Sequence, residues 1–147
     1  MGRDFRKLDV YHKAYAFVVE CYACSNSLVD ASFTSQLRRA LLSIPLNIVE
    51  GSASRSTKVL RNHLSYSYAS AKEVEVLLCL AKDLALLSDS VVQSLLLQLD
   101  DVKKMLYGFL RSVDDEIDTG KTAFVYSPKV FSRSASAIHP RRSARGT

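Results

Sequence analysis

The sequence predicts an all-α protein, an antiparallel up-down-up-down four-helix bundle followed by a disordered basic C-terminal tail. Three observations lead there. Five glycines and three prolines in 147 residues leave too little turn punctuation for a sandwich or barrel of many short strands. A hydrophobic share of 48% supports one real core, and the length fits one domain. Apolar residues then recur at alternating three- and four-residue spacings in four separate segments, the period of a helix with one buried face.

The first helix is expected from about Asp9 to Val29, with Val10, Ala14, Phe17, Cys21, Cys24 and Leu28 in one stripe. Tyr11, Tyr15, Val18 and Tyr22 form a second row beside it, wider than a coiled-coil seam requires. Burial between subunits would account for that extra row. Leu37, Leu41, Ile44 and Ile48 mark a second helix that Asp30, Ser32 or Thr34 can cap and that Gly51 closes. Pro45 lies inside it and cannot donate to the Leu41 carbonyl, so a kink is expected there. The third helix holds the rhythm through Leu60, Leu64, Ser67, Ala71, Val74, Leu78, Ala81 and Ala85, with Ser54 or Ser56 as its cap. After Ser88-Asp89-Ser90, a fourth helix carries Val92, Leu95, Leu99, Val102, Leu106, Phe109, Val113 and Ile117, ending near Thr119-Gly120. Short links between four amphipathic helices favour antiparallel neighbours. Residues 1–120 therefore form the bundle. From residue 121 the periodicity is lost, and Ser, Ala and Arg dominate residues 121–147.

Charge divides the same way. Residues 1–120 hold all 15 acidic groups but only 14 of the 20 Lys and Arg, so the net +5 belongs to the tail. The opening residues lack a hydrophobic region or cleavage site, and Lys82, Asp83, Asp89 and Asp100 interrupt the most apolar stretch. A cytoplasmic protein without membrane contact is expected. Its three cysteines then read as reduced thiols.

The run Gln36-Leu37-Arg38-Arg39-Ala40, followed by Ser43-Ile44-Pro45-Leu46-Asn47-Ile48-Val49-Glu50-Gly51, resembles the signature of the four-helix-bundle proteins of bacterial 23S rRNA intervening sequences. Ser70-Ala71-Lys72-Glu73-Val74-Glu75 is similar to that family's Ser-x-x-Glu-x-Glu pattern, and Phe5 and Leu8 fit its N-terminal Phe-x-x-Leu. The resemblance covers about residues 4–118. It implies a ring-shaped homo-oligomer, commonly a pentamer, and no catalytic activity. It also implies kinship with the accessory variability proteins of diversity-generating retroelements, basic bundles that bind nucleic acid and a reverse transcriptase. Two positions depart from the pattern: Asn62-His63 stand where Arg-Phe is frequent, and Ala69 replaces a frequent glycine.

Candidate sites are few. Cys21 and Cys24 make a C-x-x-C, but both fall on the apolar stripe and no second cysteine pair follows, so a packed core is the better reading. A di-iron bundle needs Glu-x-x-His motifs, and no glutamate here is followed by histidine at that spacing. His12, His63 and His139 stand apart from any nucleophile motif. No enzyme, cofactor or metal site is expected. Asn47, Glu50 and Glu73 read as structural polar groups, with Asn47 and Glu50 near the interior row and Arg38, Arg39, Arg55 or Lys72 as partners. Lys72 and Glu75 can form an i,i+3 pair. The strongest constellation is basic: Arg38, Arg39, Arg55, Lys58, Arg61 and Lys72 face only Glu50 across that stretch of chain. Lys58, Arg61, Ser65, Tyr68 and Lys72 share one helical row, which could contact phosphates while Tyr68 stacks on a base. Arg141, Arg142 and Arg145 add a second basic element. Binding of RNA or DNA by a homo-oligomer, with a reverse transcriptase or another nucleic-acid-processing enzyme as further partner, is the leading expectation. A structural or protein-interaction oligomer whose basic residues serve pairing and solubility is the alternative.

Overall fold

The computed structural model describes residues 2–120. Its α-helices are α1 (Asp9–Cys24), α2 (Ala31–Ala53), α3 (Thr57–Asp83) and α4 (Asp89–Thr119). Each packs against its sequence neighbour, and α4 closes on α1. The contacts between helices run in opposite senses along the chain: Gln36 meets Glu73, Ser43 meets Ser70, and Asn47 meets His63. On the next seam Arg61 meets Asp114 and Glu75 meets Lys103. These pairings define the up-down-up-down bundle. The expectation of a disordered tail over 121–147, with Arg141, Arg142 and Arg145, lies outside the described residues.

Local chemistry explains the helix ends. Asp30, Ser56 and Ser88 each accept the backbone N–H three residues on, from Phe33, Val59 and Val91. That satisfies one of the amides a helix start leaves free. Gly120 closes α4 in the left-handed region at φ 67°, where a side chain would be strained. Two ends fall short of the sequence expectation. α1 stops at Cys24 instead of Val29, because residues Ser25–Ser27 tighten into a 3-10 turn and Ser25 Oγ donates to the Tyr22 carbonyl. α3 stops at Asp83, and Ala85 takes a left-handed backbone at φ 57°. Pro45 sits buried inside α2, which remains helical on both sides of it.

The core is the row read from the periodicity. Phe17, Leu37, Leu41, Ile44, Ile48, Leu60, Leu64, Leu78, Leu95, Leu99 and Phe109 are its largest fully buried members. Where α2 meets α3, Gly51 permits the approach: a methyl there would sit 2.8 Å from His63 Cβ. The N-terminal segment then straps one end of the bundle. Arg3 N–H donates to the Ser52 carbonyl at 2.7 Å, and its guanidinium donates to both Glu116 oxygens at 3.2 Å.

Candidate nucleic-acid interface

The six cations of the 38–72 stretch divide into two groups. Arg39, Arg55 and Lys58 are exposed and face no carboxylate among the described residues. They lie on the outer side of α2, on the α2–α3 link and in the first turn of α3. The other three are engaged. Arg38 donates to Ser25 Oγ at 2.8 Å and Asn26 Oδ1 at 2.7 Å, with its guanidinium 4.6 Å from the Tyr22 ring centre. Arg61 Nε lies 2.9 Å from Asp114 of α4. Lys72 lies 3.1 Å from Glu75, which Lys103 also approaches at 2.9 Å.

Glu75 therefore sits between two ammonium groups. The hydrogen bond from Lys103, with Lys72 assisting against the cost of burial, holds its carboxyl below the ordinary glutamate range. The bond to Glu75 correspondingly raises Lys72. The helical row Lys58–Arg61–Ser65–Tyr68–Lys72 thus runs along the α3/α4 seam. Tyr68 is half-buried against the core, whereas Tyr66 is 56% exposed.

The polar residues of α2 find different partners from those expected. Glu50 is largely exposed, not interior, and lies 3.5 Å from His63 Nδ1 instead of pairing with an arginine or lysine. Asn47 Nδ2 donates to the Ser43 carbonyl at 2.9 Å and to Ser43 Oγ at 3.0 Å, while its Oδ1 faces His63 Nδ1 at 3.0 Å. Glu73 accepts from Gln36 Nε2 at 2.7 Å. The residue that sequence reasoning set aside was His63. Its signal was present in the departure at positions 62–63, but nothing in the spacing joined it to Asn47.

A second feature lies on the opposite flank of α2. Tyr11, Tyr15, Val19 and Tyr22 of α1 and Leu42 and Leu46 of α2 line an apolar groove of about 600 Å³. Tyr15 and Leu46 are each 55% exposed. The second aromatic row of α1 is this groove's wall. Cys21 lies beneath it in the core, its thiol pushed up to about 12 by burial and, secondarily, by Cys24 and Glu20. Such a thiol is a packing group and not a nucleophile at neutral pH. No helix among the described residues is long and apolar enough to cross a membrane.

Over residues 6–108 the sequence matches the family described as 23S rRNA-intervening sequence protein. The chain belongs to that family. No curated protein matches the sequence. In this member of the 23S rRNA-intervening sequence proteins, the signature residues meet one another. Gln36 bonds Glu73 and Ser43 accepts from Ser70 Oγ at 2.8 Å, so the two sequence patterns are the two sides of one α2/α3 clasp. All six cations of the 38–72 stretch lie within the matched residues, while Asp114, the partner of Arg61, lies beyond them.

Proposed function

We propose that the chain is a non-enzymatic accessory protein that assembles with copies of itself and binds RNA or DNA through its basic surface. The observation that carries this reading is the set Arg39, Arg55 and Lys58, exposed on α2, on the α2–α3 link and at the start of α3, with no carboxylate among the described residues to neutralise them. Phosphate contacts from such side chains supply most sequence-independent affinity for nucleic acid. Resemblance to accessory variability proteins supports a reverse transcriptase, or another nucleic-acid-processing enzyme, as a docking partner in the cytoplasm.

Self-assembly is supported by the apolar groove between α1 and α2. A ring, a pentamer among them, needs two different complementary surfaces on each copy. Val76 and Leu80, exposed on α3, and Leu84 just past its end offer a second apolar patch distinct from the groove. The groove also favours a second reading, an interaction oligomer whose cations serve solubility alone. Filter binding of mixed RNA and DNA at low and high salt separates the two. Retention at low salt that is lost at high salt supports nucleic-acid binding. Absence of retention at low salt leaves the interaction oligomer.

A further inference from the structure

The α2/α3 seam holds a group that a purely electrostatic surface does not use. Asn47 Nδ2 donates to both the carbonyl and the hydroxyl of Ser43, which fixes the amide and turns Oδ1 toward His63 Nδ1. An amide oxygen only accepts, so Nδ1 carries the proton of the neutral ring. Glu50 Oε2, 3.5 Å from the same nitrogen, favours that tautomer too. Nε2 is left as an acceptor. It has no protein partner among the described residues, and it is not a buried atom lacking one. Beside it stands Tyr66, edge-on to the imidazole at 5.8 Å between ring centres, with its own ring open to solvent.

These groups select a ligand by what they lack. His63 Nε2 and the Glu50 carboxylate are acceptors, and Glu50 disfavours a phosphate at that spot. A matching ligand presents a hydroxyl donor there and places its phosphates elsewhere. Arg55, exposed on the α2–α3 link, lies at the same end of the seam as Glu50 and His63. Ribose carries a 2′-hydroxyl and deoxyribose does not.

We propose that Tyr66 and His63 form a subsite for one nucleotide of single-stranded RNA. Tyr66 stacks on the base, His63 Nε2 accepts a hydrogen bond from the 2′-hydroxyl, and Arg55 takes a neighbouring phosphate. The subsite rests on the nucleic-acid reading above and narrows it from RNA or DNA to RNA.

Fluorescence anisotropy of the full chain with a short single-stranded RNA, the same sequence as DNA, and its 2′-O-methyl form tests this. The unaltered protein is expected to prefer RNA by roughly five-fold, the size of one neutral hydrogen bond, with the methylated strand binding as DNA does. His63→Phe keeps a ring against Gly51 and should abolish the preference, bringing RNA affinity to the level of DNA. Tyr66→Ala should weaken RNA and DNA alike, on the order of ten-fold. Equal affinity of the unaltered protein for RNA and DNA overturns the subsite but not the basic surface. Preference retained in a His63→Phe protein of unchanged helicity overturns it as well. Failure to bind any of the three strands at low salt overturns the nucleic-acid reading itself.

Discussion

Glu75 is where the residue scale is most exposed to measurement, because it accepts from Lys103 and Lys72 together. Folding depresses its titration, so its contribution is present above the ordinary glutamate range and is lost as pH falls through the depressed value. Partial exposure limits the effect. Glu75→Gln is expected to cost about 0.5 kcal/mol near neutral pH. Urea unfolding at a series of acid pH values should show the gap between variant and parent narrowing and closing once Glu75 is protonated. A gap unchanged down to the lowest pH counts against the pairing. Glu116 acts in the opposite sense: burial raises its carboxyl despite Arg3, so its ionisation weakens the fold as pH rises through that value. None of these partners was legible in the sequence beyond the local Lys72–Glu75 spacing. Arg61 meets Asp114, more than fifty positions away, and only the register of α3 on α4 decides that. The same register turns the Tyr68 row toward α4 and leaves Tyr66 open. An amphipathic pattern identifies the core row but not which flank a neighbouring helix covers.

At the scale of elements the sequence was far more informative. Four apolar rows gave four helices, and the caps Asp30 and Ser56 were among the residues read as candidates, while Ser88 was read only as part of the connection before α4. The end of α1 was missed because Cys24 and Leu28 continue the apolar spacing through a 3-10 turn, and both still pack on the core. The tyrosine row of α1 was also legible, and the structure adds its other wall, Leu42 and Leu46 of α2. Val18 of this row belongs to the core, but Tyr15 and Leu46 stand mostly outside it. Tyr15→Asp or Leu46→Asp should therefore lower the mass seen by light scattering at micromolar concentration while circular dichroism stays unchanged. If mass persists and helicity falls instead, the groove belongs to the fold of one chain and not to assembly.

For the whole molecule, the fold places two unlike surfaces on either flank of α2. One is the apolar groove toward α1, and the other is the polar α2/α3 seam with His63 and Tyr66 along it and Arg55 at its end, while Arg39 and Lys58 stand exposed elsewhere on the same two helices. A family member arranged this way can join copies through one flank and keep the other for a ligand. The most direct measurement is the salt dependence of binding to a single-stranded RNA for the full chain against Arg39, Arg55 and Lys58 changed together to Gln. Each phosphate contact adds about −0.7 to the log-log slope on single strands. The triple variant should thus bind more weakly, with a slope shallower by about 2 for three lost contacts. Changing Arg61 and Lys72, already held by Asp114 and Glu75, should alter the slope less. A triple variant with the affinity and salt slope of the parent would contradict nucleic-acid binding through this surface.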